Sequence, residues 1–165
     1  MEKTEQVVLL LGSNIEPRLT FINRAVLMLE KELGSAKSLS SIYESEPWGF
    51  EAQTPFFNRA VVFETCKPAH EILDICLKTE LSLGRERNNT KGYSSRTMDV
   101  DILYYGSKII NTKTLTIPHP RLHLRKFALL PAAEIVPRLI HPLLRKNQKE
   151  LLAECNDSSM VKLVN

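Results

Sequence analysis

Met98-Asp99-Val100-Asp101-Ile102-Leu103 sets two carboxylates two positions apart in an otherwise apolar run. In an extended strand alternate side chains share a face. Asp99 and Asp101 therefore point one way, and Val100 and Ile102 point the other. At ~3.3 Å rise per residue the two aspartates stand ~6.6 Å apart along the strand. Like charges that close inside a cleft repel unless a cation lies between them. Hard oxygen donors suit Mg²⁺ better than softer metals. Two ions ~3.5–4 Å apart would fit the spacing and could bridge phosphate oxygens. Standing alone, such a pair is more often a solvated strand face, so its neighbours carry the case.

Those neighbours are basic. Gly84-Arg85-Glu86-Arg87 opens a long polar stretch without periodicity, and Arg96 closes it just before Asp99. Guanidinium forks match phosphate oxygens. A connection of this length is uncommon unless it works as a lid. Tyr93, inside it, could cap a flat substrate. The chain has no G-x-x-x-x-G-K-S/T phosphate loop and no kinase motif set. Phosphoryl chemistry here would have to use the carboxylates and arginines instead.

Aromatic residues suggest a second ligand. Phe56 and Asn58 share a face of a predicted strand, so a ring and an amide edge could stack and border a bicycle. Phe127, beside Arg125, could supply the other slice of a sandwich. Trp48, the one tryptophan, lies in a loop after Ser45 and Pro47. His119 sits between two prolines, whereas His70, His123 and His141 join no constellation. Cys66, Cys76 and Cys155 form no CxxC pair and read as reduced thiols of a cytoplasmic protein. No Cys/His spacing suits zinc.

These residues need elements to hold them. Gln6–Leu11 is a short apolar run ending at Gly12-Ser13-Asn14, as a buried first strand would be. After Pro17, the spacing of Leu19, Ile22, Val26, Leu29 and Leu33 predicts an amphipathic helix closed by Gly34. Strands are predicted over Ser38–Glu44 and Phe56–Thr65. A second helix runs from Pro68 with Ile72, Leu73, Cys76, Leu77 and Leu83. A strand over Met98–Tyr105 turns at Gly106-Ser107 into a hairpin with Lys108–Ile110. The order β-α-β-β-α-β predicts an α+β, ferredoxin-like (split βαβ) antiparallel sheet with helices on one face, leaving the other face for a site. Five of the nine prolines fall between Pro118 and Pro142, which predicts loops and short helices laid on the core. Asn147–Glu154 reads as a last short helix of a C-terminal extension.

The totals agree with one domain over residues 1–165. Hydrophobic residues make up 43% and charged residues 25%, an ordinary globular balance. A net charge of +3 allows an anionic small molecule without demanding nucleic acid. No apolar run approaches the ~20 residues of a membrane helix, and the polar start MEKTEQ does not read as a signal peptide. A non-catalytic ferredoxin-like RNA-binding module is the alternative, given the spare sheet face and the basic loop. The two aspartates on that face argue against it.

From Val7 to Pro131 the sequence resembles the 6-hydroxymethyl-7,8-dihydropterin pyrophosphokinases. The resemblance rests on GSN at 12–14, YESEPWG at 43–49, QTPFFNRAV at 53–61, ELSLGRER at 80–87, RTMDVDILYYG at 96–106, TIPHPR at 116–121 and RKFALLP at 125–131. It implies an enzyme that moves the β,γ-pyrophosphoryl group of ATP to a hydroxymethyl pterin in folate synthesis, releasing AMP. It implies two Mg²⁺ ions on Asp99 and Asp101, with Arg85 and Arg96 as catalytic phosphate contacts and Arg87 assisting. ATP would also meet Leu73, Glu80, Ile102, Thr116, His119 and Arg125. The pterin would stack between Phe56 and Phe127, framed by Ser45, Pro47, Trp48 and Asn58. Ser45 stands where Thr is commoner, Phe56 where some members have Tyr, Leu77 where some have Gln, and Tyr93 near a position where some have Trp. A monofunctional monomer working in the cytoplasm, without nucleic acid or membrane, is the accompanying expectation.

Overall fold

In the computed structural model, which describes residues 3–86 and 95–165, both faces of the first strand are covered. That is why its apolar run is unbroken. β1 (Glu5–Ser13) sends Val7, Leu9 and Leu11 into one hydrophobic layer and Val8 and Leu10 into another. β4 (Phe56–Thr65) and β5 (Asp99–Tyr105) flank it, both antiparallel. β2 (Ser38–Leu39) and β3 (Tyr43–Ser45) pair with β4, and β8 (Val161–Leu163) joins the outer edge of β3. The main order is β5-β1-β4-β3-β8, the split-βαβ arrangement with an added edge strand.

α1 (Arg18–Leu33) and α2 (Ala69–Ser82) cover the first layer through Ile22, Val26, Leu29, Ile72 and Cys76. Gly34 ends α1 at φ 88°, a conformation that favours glycine, and its N–H donates to the Glu30 carbonyl. Leu19, expected on the buried stripe, is 46% exposed because that stripe begins a turn later at Ile22.

Three local expectations change. Ser38–Glu44 is two short strands rather than one. Between them the Ser40 hydroxyl accepts the Ala60 N–H at 2.9 Å, taking a bond that a continuous ladder would have used. The segment after Gly106 does not fold back on β5. β6 (Ile110–Asn111) pairs with β7 (Thr116–Ile117) in a separate two-stranded sheet, turned by Thr112 N–H donating to the Leu115 carbonyl at 2.9 Å. The second sheet face is not left bare. α3 (Lys126–Ile135) and α4 (Gln148–Glu154) lay Leu129, Ala132 and Leu151 against Val8, Val62 and Tyr104. A cleft opens on this face at the end of the sheet that carries Gly12, Asn58 and Asp99.

Alternation also breaks within β5. The register with β1 shifts between Val8 and Leu9, whose partners are Tyr104 and Ile102, so Leu103 has no opposite number there. This β-bulge puts Leu103 and Tyr104 together in the second layer, while Tyr105 returns to the first. N-terminal to it the strict alternation holds, with Val100 and Ile102 in the helical layer and Asp99 and Asp101 in the cleft.

Candidate active site

Three strands bring the key groups level. Gly12 is the register partner of both Asp99 and Asn58, and Leu10 is the partner of Asp101. No side chain therefore stands between the carboxylate and the amide. A Cβ on Gly12 would come within 3.5 Å of Asn58 Oδ1 and 3.7 Å of the Phe56 ring. The resulting cleft, about 480 Å³, is lined by the aromatic rings of Trp48, Phe56 and Phe127 and by the polar Ser45 and Asn58, among others. Asn58 is buried and donates from Nδ2 to Ser45 Oγ at 2.8 Å and to the Tyr43 carbonyl at 3.2 Å. Phe50 meets Phe56 edge-on, with ring centres 6.0 Å apart and planes at 85°. The Arg125 guanidinium lies 4.7 Å from the Trp48 ring centre and 5.6 Å from that of Phe127, within cation–π range.

A second, more open cavity of about 1170 Å³ lies beside the first, lined by Leu73, Glu80, Arg85 and His119 among others. Arg96, Asp99, Asp101 and Arg125 line both cavities. The acidic pair and two arginines thus form the wall where the two cavities meet.

The charges on that wall are partly matched. Arg85 Nη1 donates to Asp99 Oδ1 at 2.7 Å, and Arg96 Nη1 donates to Asp99 Oδ2 at 3.2 Å. Glu80, only 3% exposed, sits 2.8 Å from Arg85 Nη1 and accepts the Val100 N–H at 2.9 Å. Burial, and next the charge on Asp99, push the Asp101 carboxyl up to about 8, well above the carboxylate range. Burial, helped by the Arg125 charge, pushes the His119 imidazole down to about 4. His119 Nδ1 accordingly accepts the Arg121 N–H at 3.1 Å, as a neutral ring can. The His119 N–H donates to the Leu103 carbonyl at 3.0 Å, fixing that segment beside the β5 bulge.

Some expected residues lie apart. Ile102 is 6% exposed in the helical layer, and its side chain reaches neither cavity. Thr116 is exposed on β7, and Pro47 borders the first cleft without lining it. Arg87 and Tyr93 fall outside the described residues. Several lining residues were not singled out from the sequence, among them Gly12, Phe50, Thr114 and Arg121. Gly12 had a usable signal, a glycine ending a buried strand, and Arg121 lay within the quoted TIPHPR. Phe50 and Thr114 offered none.

Residues 8–137 match the family model of 7,8-dihydro-6-hydroxymethylpterin-pyrophosphokinase, HPPK. The chain belongs to the HPPK family. A 2-amino-4-hydroxy-6-hydroxymethyldihydropteridine pyrophosphokinase of Aquifex aeolicus is 40% identical over 148 residues, covering 90% of this chain and 91% of the relative. The Bacillus subtilis enzyme of the same name is 41% identical over 126 residues, covering 76% and 74%. Among solved structures, wild-type Plasmodium falciparum HPPK-DHPS with pteroate superposes with a TM-score of 0.72 at 17% identity, a likeness of fold. It covers 93% of this chain, which spans only 43% of that longer one. Among the described residues no helix is long and apolar enough to cross a membrane.

Proposed function

We propose that the two cavities of this HPPK chain hold its two substrates, the pterin in the aromatic cleft and ATP in the open one. The reaction is the family's: pyrophosphoryl transfer from ATP to 6-hydroxymethyl-7,8-dihydropterin in folate synthesis, releasing AMP. The observation that carries the site assignment is the shared wall of Arg96, Asp99, Asp101 and Arg125 between the two spaces. A group passing from one ligand to the other must cross that wall.

Phe56 and Phe127 would stack the pterin, and Asn58 and Ser45 would border its polar edge. Gly12 gives the ring room to reach the sheet. In the open cavity Arg85, Arg96, His119 and Arg125 would hold the triphosphate, Leu73 and Glu80 would flank the nucleotide, and Arg87 would assist. Ile102 and Thr116 could then reach the nucleotide only through groups outside the cavity linings. The pterin hydroxymethyl oxygen would form a bond to the β-phosphorus, the bond to the oxygen linking the α-phosphate would break, and AMP would leave. Positioning and charge neutralisation would supply most of the rate, because phosphoryl chemistry asks little else of a protein.

The carboxylate pair fits a divalent cation. Two hard oxygen donors share one face, and a cation there would favour the ionised form of Asp101 that burial, and next the charge on Asp99, disfavour. Among the described residues no group of three or more His, Cys, Asp or Glu could hold a metal. Ions on Asp99 and Asp101 would therefore draw further oxygens from phosphate and water. Two Mg²⁺ ions there would neutralise the phosphate oxygens. We further propose a single domain that acts as a cytoplasmic monomer, with no nucleic-acid partner. The family match does not support the RNA-binding alternative.

Incubation with ATP, Mg²⁺ and the reduced hydroxymethyl pterin, with chromatography of the nucleotides, tests the reading. AMP should appear in step with pterin diphosphate. ADP in its place, or no pterin-dependent AMP, would refute it.

A further inference from the structure

Arg96 is the residue on the shared wall whose position most needs explaining. Its guanidinium reaches Asp99 and lies 5.7 Å from the Phe56 ring centre, so it touches both sides of the site. Its backbone lies beyond the end of β5, where the β1–β5 ladder has run out. Asn14, only 2% exposed, replaces the missing ladder with its side chain. Asn14 N–H donates to the Arg96 carbonyl at 3.2 Å, and Asn14 Oδ1 accepts the Arg96 N–H at 2.8 Å. From the same amide, Nδ2 donates to Ser95 Oγ at 3.0 Å and to the Thr54 carbonyl at 3.4 Å. Thr54 lies just before Phe56. One buried side chain therefore ties the end of β1 to the arginine and to the segment that presents the stacking ring.

We infer that Asn14 is a positioning residue for pyrophosphoryl transfer, holding Arg96 in register with Asp99 and Phe56. The inference rests on the pyrophosphokinase reading above. Asn14 touches neither cavity, so it acts through Arg96 and not on a substrate. A displacement of an ångström in a phosphate contact is enough to slow transfer ~100-fold. Asn14→Ala removes the acceptor and both side-chain donations. Asn14→Asp keeps the acceptor for Arg96 N–H and can accept from the Ser95 hydroxyl, while its second oxygen, no longer a donor, faces the Thr54 carbonyl, a cost in stability that leaves the Arg96 contact in place.

The test compares single-turnover AMP formation, pterin binding by fluorescence titration, and thermal midpoints in wild type, Asn14→Ala and Asn14→Asp. Asn14→Ala is expected to slow the single turnover ~100-fold with pterin affinity largely kept, and to lower the melting midpoint because the Arg96 N–H loses its acceptor. Asn14→Asp is expected to recover most of the rate. An unslowed Asn14→Ala overturns the inference. So does equal slowing in both variants with pterin affinity lost, the pattern of a merely structural residue. Should Asn14→Ala fail to fold, Asn14→Ser takes its place, since a hydroxyl one bond shorter cannot reach the Arg96 N–H. Its wild-type rate would overturn the idea, and its slowing with pterin affinity kept would support it. An inactive wild type would instead sink the pyrophosphokinase reading itself.

Discussion

Asp99 and Asp101 differ although they share a strand face. Asp99 accepts from two arginines, whereas Asp101 is driven up by burial and by Asp99 itself. Removing either should abolish turnover while the fold survives. AMP release and circular dichroism on Asp99→Ala and Asp101→Ala check this, and a folded, fast variant would reject the metal role. Arg96→Ala should raise the chemical barrier by ~2–4 kcal/mol, the usual loss for one preorganised electrostatic donor; single-turnover rates measure it. His119 carries a pH signature. Its folded pKa, about 4, lies below the ordinary 6.5. Between these values the unfolded chain takes up the proton and the folded chain does not. Stability from this group is full above pH 6.5 and is lost as pH falls through about 4. At about 1.4 kcal/mol per unit the shift from 6.5 to about 4 corresponds to at most roughly 3.5 kcal/mol, an upper bound for a partly buried ring. The wild type should lose more stability over that window than His119→Gln, as urea unfolding at several pH values would show.

At the scale of elements, α2 and β5 are locked by a charged side chain within an otherwise apolar contact. Glu80 is buried at the end of α2, accepts the β5 backbone at Val100 and meets Arg85. The resemblance places this residue near the nucleotide; its contacts make it a strut as well. Glu80→Ala would strand a buried N–H and loosen Arg85, a cost of ~1–3 kcal/mol. Urea titration should register that loss, and an unchanged midpoint would limit Glu80 to the ligand. The β5 bulge works on the same scale. It turns Leu103 and Tyr104 both toward the second layer, and the Leu103 carbonyl holds the His119 backbone. Acidic alternation upstream and apolar packing downstream can therefore coexist on one strand.

For the whole molecule, one sheet is shared by two hydrophobic layers, so neither layer can melt without exposing the other side of β1. Unfolding followed by Trp48 fluorescence and by far-UV circular dichroism should coincide, and separate midpoints would split the domain. Leu129→Ala, at a fully buried position of α3, should lower both midpoints together by ~2–5 kcal/mol. The sequence alone determined the faces of β1 and of the first half of β5, the two long helices and the family, since periodicity and residue order are local properties. Asp99 beside Asp101, and Phe56 beside Asn58, were legible because alternation fixes them wherever the strand runs without a bulge, as it does at both pairs. The pairing of β6 with β7 depended instead on which partner came within reach. Gly12 opening the floor and Asn14 holding Arg96 also needed chain segments from far apart in sequence. Only the tertiary structure decided these, because register across strands and burial are set by the packed whole.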